Sequence, residues 1–185
     1  MDREELVKIL EGYAKEKGER LSLIIVGALA LPFYGVEGRH TRDVDAEVLE
    51  GDLYNLKDFL NELGIEADLT ENFSGWSVVS MPSDYRGRAV SVYESPYLSL
   101  KVLEPYDFIL AKLRRGTQED MEDALKVARS LKDFSPERLR ERIEQAVRES
   151  PRDTYLLSFR KICEHFFSLL SEKKGRQVRR RLPGP

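Results

Sequence analysis

The stretch Thr41-Arg42-Asp43-Val44-Asp45-Ala46-Glu47-Val48-Leu49 alternates acidic and apolar side chains, with acids at 43, 45 and 47 and apolar residues at 44, 46 and 48. Alternation with period two marks a half-buried strand that packs one face and turns an acidic face outward. Upstream of it, Leu21-Ser22-Leu23-Ile24-Ile25-Val26 is apolar and β-branched and stops at Gly27, the pattern of a buried strand running into a turn. Residues 28–34 then read as a short helix, irregular at Pro32, whose missing N–H removes a helical bond.

Working outward, residues 2–17 have Leu6, Ile9, Leu10, Tyr13 and Ala14 at helical spacing behind Asp2, an N-cap. Asp52 caps a second helix to residue 63, closed by Gly64. Four more β-like runs follow, at 65–69, 76–81, 89–93 and 97–103. Pro105 then opens a helix to 114, residues 118–132 form the next, and Ser135-Pro136 starts another that reaches Glu149. A last helix spans about 152–172, with Leu156, Phe159, Cys163, Phe166 and Leu170 inward. Strands before Glu104-Pro105 and helices after it give an α/β (α+β) fold: a mixed-sheet core over 1–104, a helical part over 105–172 and a basic tail over 173–185, read as flexible.

Composition narrows the function classes. The 185 residues carry 30 Lys+Arg against 33 Asp+Glu, and 34% of them are charged, but the apolar residues recur in periodic runs, which argues against disorder. The longest apolar stretch, 21–34, is broken by Ser22, Gly27 and Pro32 and falls short of the ~20 residues of a membrane span. Met1-Asp2-Arg3-Glu4-Glu5 has no apolar leader segment, so the expected compartment is the cytoplasm. One cysteine and two histidines cannot build a thiolate or zinc centre, so any metal must be held by carboxylates. Asn and Gln are few while Glu and Arg abound, a balance that suggests a thermophilic source. The tail carries Lys173, Lys174, Arg176, Arg179, Arg180 and Arg181 and no acid. Such a run can contact RNA phosphates or stay a solvated terminus.

On one strand face, Asp43 and Asp45 lie ~6.6 Å apart at Cα, close enough to converge on a hard cation such as Mg²⁺. Glu47 lies a further ~6.6 Å along and reads as solvated. Gly27 permits close approach of a phosphate to the backbone, and the helix after it begins with unpaired N–H groups. Trp76 reads as a core residue. Lys112 reads equally as a cleft residue or a surface lysine, and Asp120 and Asp123 suit a helix first turn without any catalytic role.

Three segments together, Val26-Gly27-Ala28-Leu29-Ala30-Leu31, then Arg39-x-Thr41-x-Asp43-Val44-Asp45, then Lys112-Leu113-x-x-Arg115 to Asp120-x-x-Asp123, resemble the polymerase-beta-like nucleotidyltransferase superfamily. The branch of abortive-infection type nucleotidyltransferase toxins and their relatives is the nearest in pattern, over residues 20–130. The resemblance implies that Gly27 and Ala28 cradle the triphosphate and that Asp43 and Asp45 hold Mg²⁺ or Mn²⁺. It also implies that Thr41 precedes the metal pair, and that Arg39, Lys112, Arg115 and Asp120 bind the nucleotide. The implied substrate is a nucleoside triphosphate (NTP), attacked at its α-phosphorus by a hydroxyl on tRNA or another RNA, a protein or a small molecule. An antitoxin protein is the implied partner.

Two positions depart from the pattern. Ala28 stands where a Gly or Ser is usual, and a third carboxylate on a neighbouring strand has only Glu94, Asp68 and Glu66 as candidates. Two other readings therefore stay open: a member of the fold that binds nucleotide without turnover, and an RNA-binding module that works through the basic tail.

Overall fold

The computed structural model describes residues 1–38 and 41–179, with side chains as far as residue 172. Arg39 and His40 lie outside the described residues, as does the basic tail apart from its backbone to residue 179.

Five strands form one mixed sheet: β1 (Leu21–Ile25), β2 (Val44–Glu50), β3 (Ala67–Thr70), β4 (Val90–Glu94) and β5 (Leu98–Val102), in the order β3-β2-β1-β5-β4. The β1–β2 and β4–β5 pairs are antiparallel, and β1–β5 and β2–β3 are parallel. Central β1 has Leu23, Ile24 and Ile25 wholly buried, as a strand covered on both faces must. Seven α-helices complete the described fold: α1 (Arg3–Lys17), α2 (Leu53–Glu62), the single-turn α3 (Tyr85–Arg88), α4 (Pro105–Arg115), α5 (Gln118–Ser130), α6 (Pro136–Glu149) and α7 (Tyr155–Arg179). The expected α/β class with a helical C-terminal part is observed. No helix among the described residues is long and apolar enough to cross a membrane.

The helix starts follow from side chains that satisfy otherwise unpaired N–H groups. Asp2 accepts from Glu5 N at 2.8 Å and Asp52 from Asn55 N at 2.9 Å. Ser135 accepts from Arg138 N at 3.1 Å, and Thr117 forms a reciprocal capping box with Asp120. Between α4 and α5 the chain reverses at Gly116, whose φ of +66° suits glycine and whose missing Cβ would otherwise stand 2.6 Å from Ile162 Cδ1 of α7. This tight turn folds α5 back along α4, and α5 packs against the 3-10 segment at 28–34. Burial of Phe108, Phe159 and Phe166 joins α4 and α7 to the same core as β1, each ring contributing about 2–3 kcal/mol of transfer free energy.

Three local expectations fail. The run 76–81 is not a strand: a 3-10 turn (Phe73–Trp76) leads into an extended loop. Its backbone bonds go to side chains instead of a neighbouring strand, with Val79 N donating to Ser77 Oγ, Ser80 N to Ser150 Oγ and Met81 N to Ser74 Oγ. Residues 28–34 do form the expected short helix, of the tighter 3-10 type with Pro32 inside it. Glu47 is not solvated but fully buried, and Trp76 is not a core residue but 46% exposed.

Candidate active site

Parallel register places Asp45 of β2 directly opposite Asp68 of β3, so the two carboxylates share one face of the sheet. Asp43, exposed, sits just before β2 and lines a recess beside a cavity of about 680 Å³. Gly27, Asp45 and Asp68 form part of its floor, and Lys112, Arg115 and Asp120 face them from α4 and α5. A second, polar recess adjoins it and reaches Ala28, Thr41, Asp43 and Glu66. The structure therefore brings Gly27, Ala28, Thr41, Asp43, Asp45, Lys112, Arg115 and Asp120 to one cleft. Glu94 is not among them: it lies on β4, the far edge of the sheet, and pairs with Arg20.

Gly27 has a sharper role than permitting phosphate approach. A Cβ there would fall 2.2 Å from Oδ2 and 2.6 Å from Cβ of Asp45, so only glycine leaves room for this carboxylate. Its backbone is extended, with φ of −94°, and the requirement is therefore one of space. Asp45 is anchored through its own carbonyl, which accepts from Val26 N at 2.9 Å.

Burial pushes the Asp45 carboxyl above its ordinary range, and the negative charge of Asp68 adds to this; the attraction of Lys112 and Arg115 lowers it without prevailing. An acid held partly desolvated beside other acids favours a positive ion. The donor set is entirely carboxylate oxygen, which suits a hard cation. Among the described residues no three acids, histidines or cysteines form a closed metal cage.

The opposite wall is built differently. Lys112 Nζ lies 3.3 Å from Asp120 and 3.1 Å from Asp123, all three being buried. Asp120 also accepts from Arg115 Nε and Nη2 at 2.6 Å each and from Thr117 Oγ1 at 2.7 Å. Burial would raise the Asp120 carboxyl, but the bonds from Arg115 and Thr117 and the two nearby cations hold it below the usual range. Lys112 is thus aimed by two acids, and Arg115 keeps an exposed flank toward the cleft.

Two features of the cleft were missed by sequence reasoning. Glu94, Asp68 and Glu66 are the candidates for the third carboxylate, with Glu94 the expected metal residue, and strand register brings Asp68 instead beside Asp45. Glu47 was passed over: its carboxylate accepts from Phe73 N at 2.6 Å and Arg86 Nε at 2.5 Å, and from the Tyr85 hydroxyl. From the other side Arg114, buried and pushed down to about 10 by desolvation, donates to the carbonyls of Val79 and Ser74 at 2.6 Å each. These two ions clamp the loop that forms the outer wall of the cavity.

A model of the family described as nucleotidyltransferase of unknown function (DUF6036) matches residues 4–164. The chain belongs to this family. The match spans β1 to β5, the acidic row and the Lys112 helix pair, so the cleft lies wholly inside the family's shared region. No curated protein and no solved structure matches the chain.

Proposed function

We propose that the protein is a metal-dependent nucleotidyltransferase that moves a nucleoside monophosphate from an NTP to a hydroxyl acceptor. The observation that carries this reading is the in-register Asp45–Asp68 pair, with Asp43 beside it, facing Lys112 and Arg115 across the cavity. Asp45 and Asp68, with Asp43 beside them, would lend one or two carboxylates to Mg²⁺ or Mn²⁺, which would supply charge stabilisation to the attacking and leaving oxygens of an in-line displacement. Arg115 and Lys112 counter phosphate charge, Asp120 and Asp123 orient Lys112, and Gly27 keeps Asp45 in place. The acceptor oxygen forms a bond to the α-phosphorus, pyrophosphate leaves with the bonding electron pair, and the acceptor's proton passes to a carboxylate or to water. Asp68 supports turnover over a purely binding role, since it offers beside Asp45 the carboxylate that β4, with Glu94 at the far edge of the sheet, does not bring to the cleft. The acceptor is an RNA, a protein or a small molecule, and an antitoxin partner belongs to the same proposal.

Transfer of α-labelled NTPs to total RNA and protein, with Mg²⁺ or Mn²⁺, tests it by comparing the wild type with Asp45→Asn and Asp68→Asn. Label that appears with the wild type and disappears in both variants is expected. Equal label in all three would overturn the assignment of the acidic row, and label in none, while NTP still binds, would favour the non-catalytic reading.

A further inference from the structure

The cavity lining is of two chemical kinds: the charged side chains Asp45, Asp68, Lys112 and Arg115, and the apolar or aromatic side chains Leu69, Phe73, Trp76 and Val78, with Arg114 against the Phe73 ring. Large apolar side chains in this protein are otherwise mostly buried, yet Trp76 is 46% exposed and Val78 42%, both in the wall of the cavity. The loop that displays them is not loose. The Phe73 ring sits 5.0 Å from the Arg114 guanidinium and meets the Trp76 ring edge-on at 5.2 Å, and the Phe73 N–H is held by buried Glu47.

Two buried charges thus fix a short loop whose outermost ring is left uncovered. Held rigidly, an exposed indole loses little conformational entropy when a flat aromatic ligand stacks on it. Charged side chains suited to metal and phosphate, in one cavity with a rigid aromatic plate and apolar neighbours, match the two halves of a nucleotide.

We propose that Trp76 is the stacking platform for the base of the nucleoside triphosphate, with Val78 and Leu69 as the apolar surround; this rests on the nucleotidyltransferase reading. Every base presents a π-face, so stacking on Trp76 supplies affinity with little discrimination among bases. Arg114 and Glu47 are positioning residues for this plate, since neither side chain needs to reach the nucleotide to act.

Trp76 is the one tryptophan of the chain, so indole fluorescence reports this position alone. ATP, CTP, GTP and UTP, each with Mg²⁺, are titrated into the full chain while emission and calorimetric heat are followed. The same calorimetry is run on Trp76→Ala and Trp76→Phe, with inorganic tripolyphosphate as a probe that has phosphates and no base. Saturable quenching at the calorimetric Kd is expected, with NTP binding weakened about tenfold in Trp76→Ala and within about threefold of wild type in Trp76→Phe. Tripolyphosphate should bind all three proteins alike.

NTP binding that leaves emission unchanged overturns the platform while leaving the transferase reading standing. So does a Trp76→Ala variant that loses tripolyphosphate as strongly as NTP, because the defect is then structural. Emission that responds to a single-stranded oligoribonucleotide and not to any NTP overturns the assignment in favour of an acceptor base. Absence of NTP binding to the wild type by either readout overturns both proposals together.

Discussion

Asp45 and Asp120 face each other across one cleft and are pushed in opposite directions. Asp120 is sealed in by Arg115, Lys112 and Thr117, and its carboxyl is held low. Asp45 is desolvated beside Asp68 and Asp43, and its carboxyl is held high. Burial acts against ionisation at both; what differs is the sign of the neighbouring charge. An acid whose partners are part of the fold supports the fold, whereas an acid placed among acids opposes it until a cation or substrate arrives. The β2–β3 wall is therefore built at some cost to stability and the α4–α5 wall is built for it.

Asp45→Asn should break this contrast most sharply. Transfer activity is expected to fall about a hundredfold or more, as when a charge-stabilising group is lost from a reacting centre, while the melting temperature rises. The rise should be largest near neutral pH and shrink on acidification, because the raised carboxyl of the wild type then takes up its proton and stops opposing folding. A variant that melts lower than the wild type at pH 7 would show that Asp45 serves the fold.

Gly27→Ala tests the same wall through packing. The added methyl would meet the Asp45 carboxylate at 2.2 Å, and a displacement of about 1 Å at a reacting centre costs about a hundredfold in kcat/KM. Overpacking should lower stability by about 1–3 kcal/mol as well, measured by denaturant titration. Activity within twofold of wild type would show that Asp45 has room to move.

Asp120→Asn should do the reverse of Asp45→Asn. Removing one member of a buried, hydrogen-bonded ion cluster is expected to cost about 2–3 kcal/mol, part of the pair's loss being offset by the retained cap to Thr117. Its carboxyl is depressed in the folded state, so the stabilisation is fully present above the ordinary value of 3.8 and vanishes as pH falls through the folded value. Stability differences from wild type at pH 7 and pH 3 give the check: a gap that closes in acid is expected.

The smallest effect should come from Glu47→Gln, which keeps acceptance from Phe73 N but removes the charge that pairs with Arg86. About 1–2 kcal/mol is expected by denaturant titration, together with faster amide exchange over residues 73–79. Unchanged exchange there would show that Arg114 alone holds the loop.

Much of this arrangement is legible along the chain. The acid alternation at 43–47, the buried run at 21–25, Gly27, and the caps at Asp2, Asp52, Thr117 and Ser135 are local signals, each set by a residue and its near neighbours. The helices at 3–17 and 136–149 begin and end within a residue of where side-chain periodicity and capping put them. Where reading failed, the missing partner was distant in sequence. The segment at 76–81 has the β-branched residues of a strand, but its backbone is satisfied by Ser150 and Arg114, which arrive only when α6 and α4 pack.

Period, capping and motif spacing are properties of contiguous residues, so most element types, the acid alternation at 43–47 and the nucleotidyltransferase resemblance are readable along the chain. Which further acid stands beside Asp45 is set by strand order. Asp68 and Glu94 are alike as residues on short strands, and β3 lies beside β2 while β4 lies at the opposite edge. The tertiary structure also turned Glu47 from a solvated acid into a buried clamp and Trp76 from a core residue into an open plate. Register and covering loops act between residues far apart in the chain, and no local pattern encodes the burial they impose.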